Sequence, residues 1–294
     1  MSQPVFRFAP SPNGELHLGH ARSALINQQM ARAINGKLLL RIEDIDTVRC
    51  TPAHEAQMLR DLEWLGFEWD AEPLRQSERI EAYREVLDIL ELEGLVYPSK
   101  MSRNDIRQII ALNEQDGTPW PTDPDGAAIY PGTERELDAA ARRLIKEATD
   151  NFTLRLDTNA ALKYLSKRVD WNETGFGPEN QTGKIVAEPL KWGDPILERR
   201  DTPASYHLSC VVDDIYQGVT HVVRGKDLFH ATSLHRLLQE LLGAPVPIYH
   251  HHELIMGDDG CKLSKSNKDT SLRQLREAGA SAKDIHRMAL TQVE

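Results

Sequence analysis

The chain has 294 residues, 40% of them apolar and 27% charged, with a formal net charge of −10; that is the balance of a globular protein with room for one large domain and an insertion, or for two smaller domains. The acidic sum argues against a surface basic throughout, which nucleic-acid phosphates favour, but leaves room for a local basic face. No apolar run reaches the roughly 18 residues of a membrane-spanning helix, the N-terminus lacks the charged-then-apolar layout of a secretory signal, and Cys50, Cys210 and Cys261 are odd in number and unpaired in spacing, so no disulfide framework is expected.

These features lead us to expect a cytoplasmic protein, and a monomer is expected. Pro4 to Ala9 alternates and runs into Pro-Ser-Pro-Asn-Gly, the pattern of a short strand feeding a turn. Leu18, Ala21, Leu25, Ile26 and Ala33 then recur at helical spacing, so the turn opens a helix over Leu16 to Ile34. Lys37 to Ile42 reads as a second strand, and Thr51 to Leu65 and Ser77 to Leu92 as amphipathic helices. This order predicts an α/β fold, a doubly wound, Rossmann-like parallel sheet with right-handed crossovers. Its first half is expected over residues 1–96. Polar, Pro- and Gly-containing stretches between Tyr97 and Pro189 predict an inserted subdomain over 97–189. The βα rhythm returns with Ser205 to Ile215, Val219 to Arg224, Phe229 to Leu242 and Ile248 to His251, so the second half is expected over 190–252. Residues 253–294 remain for a lysine-bearing loop and a helical tail.

A strand, a glycine-bearing turn and a helix form a layout that binds phosphates at the helix N-terminus, through unpaired N–H groups and the helix dipole. His17 and His20 lie three apart at that helix start and share a face. Two such imidazoles can donate to phosphate oxygens that gain charge during a displacement; their spacing equally suits a surface pair or a metal-ligand pair. Near the other end, Lys262-Leu-Ser-Lys265-Ser266 follows Gly257-Asp-Asp-Gly260. This reads either as a mobile cationic loop that closes on a triphosphate or as a solvated basic loop.

Taken together and in this order, the segments Ala9-Pro-Ser-Pro-Asn-Gly-Glu-Leu-His17-Leu-Gly19-His20 and Lys262-Leu-Ser-Lys265-Ser266 resemble the two ATP-gripping signatures of class I aminoacyl-tRNA synthetases. Leu40-Arg-Ile-Glu-Asp-Ile-Asp46, Val211-Val-Asp-Asp214 and Gly218-Val-Thr-His-Val-Val-Arg224 are similar to the glutamate branch of that class. In that branch the full enzymes continue into anticodon-binding domains, whereas 28 residues follow Ser266 here. With Arg49-Cys-Thr-Pro52 and Trp64-Leu-Gly-Phe-Glu-Trp-Asp70, the chain most resembles the stand-alone glutamyl-queuosine tRNA(Asp) synthetases.

The resemblance implies two steps: activation of L-glutamate by ATP carrying Mg2+, without tRNA, then transfer of the glutamyl group to queuosine in the anticodon stem-loop of tRNA(Asp). It implies catalytic roles for His17, His20, Lys262 and Lys265. ATP contacts would come from His17, Gly19, His20 and Lys265, and glutamate contacts from Arg7, Phe8, Ala9, Pro10, Ser11, Glu43, Tyr206 and Arg224. Charge supports the last group. Glutamate needs an arginine for a carboxylate and an acid for its ammonium, and Arg7, Glu43 and Arg224 end strands at the sheet edge where ligands bind. An arginine at 224 favours glutamate over glutamine, since a buried guanidinium facing a neutral amide would lack its counter-charge; each residue alone also fits a structural ion pair.

Relatives often carry a zinc site in the insertion, built from three thiolates and a tyrosine. Here Ser99, Met101, Tyr130 and Glu134 stand at those positions. Hydroxyl, thioether and carboxylate in place of thiolates predict no structural zinc, with the insertion held by packing around Trp120, Ile129 and Tyr130. Adjacent His250, His251 and His252 on a strand point to opposite faces and offer no substitute site. Two rival readings stay open: a shortened glutamyl-tRNA synthetase charging a tRNA 3′ end, and a catalytically silent binder of glutamate or nucleotide.

Overall fold

The computed structural model describes residues 3–148, 151–257 and 270–290. Lys262 and Lys265 therefore lie outside the described residues.

A seven-stranded sheet organises the chain. Central strand β1 (Val5–Phe8) pairs in parallel with β2 (Lys37–Ile42) on one side and β9 (His221–Gly225) on the other. β3 (Leu74–Arg75) lies outside β2. Beyond β9 come β10 (Ile248–His252) and β6 (Asp170–Glu173), both parallel, and then β7 (Gly183–Val186), antiparallel at the edge. This is the mostly parallel α/β sheet expected from the sequence.

Strand alternation decides what each face carries. Phe6 and Phe8 of β1, with Leu38, Leu40 and Ile42 of β2, enter a core shared with α1 (Leu18–Ala33) and α2 (Pro52–Leu65). Arg7 and Arg41 therefore face the other way, towards α7 (Tyr206–Tyr216). A second core joins α7 to α3 (Ile80–Leu92) and α8 (Ala231–Leu241). Asp213 of α7 pins that layer by accepting from Gln76, Arg79 and Tyr83. Helix α2 starts on Thr51, whose hydroxyl accepts from the His54 N–H with Pro52 at the first position, and stops at Gly66 with φ 74°.

A smaller antiparallel sheet consists of β4 (Val96–Ser99), β5 (Thr153–Leu156) and β8 (Ile196–Arg199). The same stretch of chain carries α4 (Arg103–Asn113), α5 (Ala139–Ala148) and α6 (Thr158–Leu165), of which α5 packs against β4. Sheet membership departs from the 97–189 boundary in both directions. β6 and β7 join the large sheet, because Trp171 packs with Val222, Phe229 and Tyr249. β8 joins the small one.

Ser99, Met101, Tyr130 and Glu134 converge as a hydrogen-bonded cluster. The Tyr130 hydroxyl lies 2.9 Å from Ser99 Oγ, 3.2 Å from Met101 Sδ and 2.6 Å from Glu134 Oε2. The Glu134 carboxylate also accepts from Lys100 N at 3.1 Å. Burial and Glu134 push the phenol up to about 12, so it stays a donor. Arg155 stacks 3.6 Å above the Tyr130 ring, and Trp120 Nε1 donates to Ile129 O at 2.8 Å.

The tail, α9 (Leu272–Glu277) and α10 (Ala282–Leu290), folds back onto α1. Leu272 N donates to Leu16 O at 2.7 Å, and Arg22 donates to Ala289 O at 3.0 Å. Arg273 pairs with Glu15 and Glu277, and Arg276 with Asp61. Both cations are thus paired with acids of the fold.

Candidate active site

The turn after β1 and the N-terminus of α1 border a cavity of about 440 Å³ at the carboxyl edge of the large sheet. Arg7, Phe8, Ala9, Pro10, Ser11, His17, Gly19, His20, Glu43, Tyr206 and Arg224 all line it. It thus gathers the described residues named above as glutamate and ATP contacts.

His17 caps α1. Its Nδ1 accepts from Gly19 N at 3.1 Å, while its own N–H donates to His20 Nδ1 at 3.1 Å. With both Nδ1 atoms accepting, each neutral ring carries its proton on Nε2 and is a donor there. The ring centroids are 3.9 Å apart. Gly19 permits this packing, since a Cβ there would lie 2.9 Å from Cε1 of His17.

Arg7 and Arg41 share one carboxylate. Asp214 Oδ1 accepts from Arg7 Nε at 3.0 Å and from Arg41 Nη1 at 2.7 Å. Burial alone would raise the acid, but the two guanidiniums outweigh it and hold Asp214 below the usual carboxylate range. Burial and Asp214 push the neighbouring Cys210 thiol up to about 12, keeping it neutral. Arg41 Nη2 also approaches Glu43 Oε1, at 3.4 Å. Burial raises the Glu43 carboxyl against the pull of Arg41 and Arg7. No partner is found for Arg7 Nη1 among the described residues, and Arg7 lines the cavity.

Arg224 differs. All five of its N–H groups are taken: by His251 Nε2 at 3.1 Å, His235 Nδ1 at 3.1 Å, Thr232 Oγ1 at 2.8 Å, Leu228 O at 3.1 Å and Tyr206 OH at 3.4 Å. Among the described residues no acid pairs with it. It is a buried cation held by neutral acceptors, and the long Tyr206 contact is the one most readily given up. The fork with open donors belongs to Arg7.

A second cavity, about 760 Å³, opens between the two sheets and shares Ser11, Glu43 and Tyr206 with the first. Trp192, His207 and Arg155 line it. Beside it Arg103, Arg155, Arg199 and Arg200 border a groove that also carries Asp201; none of these arginines forms an ion pair among the described residues.

Arg41, Asp214, Glu173, His235 and His251 escaped the sequence reading as site residues. One signal was present for Arg41, a cation set between the Leu and Ile residues of the strand, which marks a buried ion pair. Glu173 and His251 carried none.

Residues 5–292 match the family described as tRNA synthetases class I (E and Q), catalytic domain. The chain is 47% identical to the Glutamyl-Q tRNA(Asp) synthetase of Rhodobacter capsulatus over 290 residues, covering 97% of this chain and 99% of that protein. It is 37% identical to the glutamate–tRNA ligase of Prochlorococcus marinus over 283 residues, covering 94% of this chain but 56% of the ligase. The solved glutamate tRNA ligase of Elizabethkingia meningosepticum, in complex with its amino acid, superposes with a TM-score of 0.71 at 27% identity, over 95% of this chain and 54% of that one. The chain thus spans about half the length of these two ligases. Among the described residues no helix is long and apolar enough to cross a membrane. This chain belongs to the catalytic-domain family of the class I tRNA synthetases for glutamate and glutamine.

Proposed function

We propose that the chain activates L-glutamate with ATP and passes the glutamyl group to queuosine in the anticodon of tRNA(Asp). The observation that carries this reading is the first cavity, which sets Arg7, Glu43, Tyr206 and Arg224 beside the His17–Gly19–His20 helix start. Arg7 Nη1 would hold a substrate carboxylate, Glu43 the ammonium, and Arg224 the charge that favours a carboxylate side chain over an amide.

In the first step an oxygen of the α-carboxylate attacks the α-phosphorus of ATP, bound as its magnesium complex. The bond to the β-phosphate oxygen breaks, and pyrophosphate leaves. The His17 and His20 Nε2–H donors stabilise the charge that develops on the phosphates. Lys265, supported by Lys262, is assigned to the leaving pyrophosphate. That assignment is supported by the flanks of their segment, since Ile255 lines the cavity and Ser271 bridges to His17.

In the second step a hydroxyl oxygen of the acceptor attacks the glutamyl carbonyl, AMP departs, and the hydroxyl proton passes to solvent. The second cavity suits that acceptor. It adjoins the first and lies beside the groove arginines, whose charge is fitted to phosphates. We take the protein to work as a monomer in the cytoplasm, where ATP and tRNA meet.

The test is glutamate-dependent ATP–pyrophosphate exchange without tRNA, followed by charging of a tRNA(Asp) anticodon stem-loop with and without queuosine. Exchange, with transfer only to the queuosine stem-loop, is expected. Charging of a tRNA 3′ end with none on the stem-loop would point to a shortened glutamyl-tRNA synthetase. Absence of exchange would point to a silent binder.

A further inference from the structure

Arg224 has a feature that the substrate assignment does not explain. Two histidines face it, and a guanidinium can only donate. Each ring must therefore offer it a lone pair. His251 does so with Nε2 and His235 with Nδ1, each at 3.1 Å. A neutral imidazole carries one proton, so that of His251 must sit on Nδ1 and that of His235 on Nε2.

Each proton finds an acceptor. His251 Nδ1 lies 2.6 Å from Glu173 Oε2, and His235 Nε2 lies 3.1 Å from His207 Nδ1. Glu173 is itself fastened by Trp171 Nε1, Gly175 N and the His251 N–H. Burial opposes its ionisation, but the bond and charge of the His251 ring, with the backbone N–H groups of His251 and Gly175, outweigh it and hold the carboxyl down at about 2. Burial and the Arg224 charge hold His251 neutral, against the opposite pull of Glu173. Glu173 ends β6 and His251 sits on β10, so the edge of the large sheet reaches the cavity through one imidazole.

We propose that Glu173 and His251, with His235 as a second support, are positioning residues that fix the plane of Arg224 while leaving its charge to a substrate carboxylate, so that preference for glutamate over glutamine depends on them. The inference rests on reading the first cavity as the glutamate site. A protein carboxylate in direct contact would neutralise Arg224 and weaken that preference. Placing the carboxylate one imidazole away orients the guanidinium and leaves its charge uncompensated at Nη1, where a substrate would replace the long 3.4 Å contact to Tyr206 OH.

Pyrophosphate exchange by the full chain tests this, comparing His251→Gln, which keeps an acceptor for Arg224 and a donor for Glu173, with His251→Leu, which keeps neither. His251→Leu is expected to raise the glutamate KM about 10- to 100-fold and to narrow selection against glutamine, with the ATP KM changed by less than about 2-fold. His251→Gln should stay close to wild type in both respects. Wild-type glutamate KM and selectivity in His251→Leu would overturn the proposal. So would an equal rise in ATP KM, or equal damage by both substitutions, which would mark a structural brace.

Long-range 15N–1H correlation spectra of the unsubstituted protein decide the matter even if His251→Leu fails to fold. The Nδ1–H tautomer at His251 and the Nε2–H tautomer at His235 are expected, and the opposite form at either ring overturns the network. A wild-type protein without glutamate-dependent exchange would strike the functional reading, and the tautomers would still decide whether Arg224 is held as described.

Discussion

Asp214 accepts the Arg7 Nε hydrogen at 3.0 Å across 207 residues of sequence. The contact fixes a helix of the second half of the chain against the central strand of the first. It also holds Arg7 by Nε in the cavity wall, with Nη1 unpartnered among the described residues. Since Asp214 serves Arg41 as well, one buried acid offsets two buried cations.

Asp214→Asn should therefore cost more than a catalytic residue normally does. Removing one partner of a buried ion pair typically costs about 3–5 kcal/mol, because the remaining charge has no compensation. Urea denaturation should show a loss of that size. A midpoint equal to wild type would mean that Glu43 alone balances the two arginines.

The two arginines of the cavity should fail differently. Arg7→Lys keeps a charge but loses the fork that serves Asp214 and a ligand at once; it should raise the glutamate KM while leaving selection against glutamine in place. Arg224→Gln should weaken glutamate by about 2–5 kcal/mol and erode that selection. Exchange kinetics with both amino acids separate the cases, and identical profiles would contradict the division of roles.

Gly19→Ala tests the histidine pair without replacing either histidine. The new Cβ would meet Cε1 of His17 at 2.9 Å, so the imidazole must move. A displacement of this kind can cost about 10²-fold in rate. Adenylate formation should slow accordingly, with glutamate binding, followed by equilibrium titration, little changed.

The groove arginines should matter for transfer alone. Joint replacement of Arg199 and Arg200 by Ala should leave pyrophosphate exchange intact and weaken RNA binding. The salt dependence of that binding should become shallower by about one unit of log–log slope for each phosphate that the protein no longer neutralises. An unchanged slope would move the RNA elsewhere on the surface.

Acid should destabilise the fold from a higher pH than carboxylates alone would dictate. Burial depresses His251 and His252 to about 4 and His235 well below its ordinary value. These rings are neutral in the folded chain but take up protons in the unfolded chain below about pH 6.5. The unfolded state thus binds more protons, and stability falls as pH drops from there towards 4, by at most about 1.4 kcal/mol per pH unit for each ring. Glu173, held at about 2, adds its own loss only below its ordinary carboxylate range. Urea midpoints at neutral and mildly acidic pH should diverge; equal midpoints would show that these rings are already protonated in the fold.

What the amino-acid sequence determined alone was local. The strand–turn–helix of β1 and α1, the strand β2 and the caps of α2 follow from patterns a few residues long. His17, Gly19 and His20 could be grouped from spacing because one helical turn brings them together. The ends of β1, β2 and β9 pointed to Arg7, Glu43 and Arg224 because a parallel sheet places strand ends on one edge. Tertiary structure decided which of those groups remain open to a ligand. Arg41 meets Asp214 over 173 residues and His251 meets Glu173 over 78, and no periodicity encodes such partners. The allegiance of β6 and β7 was hidden for the same reason, since four-residue strands show too little alternation to reveal which sheet will bury Trp171. Hydrogen-bond capacity is finite, so only the folded neighbourhood could show that Arg224 spends every donor on the protein while Arg7 Nη1 finds no partner among the described residues.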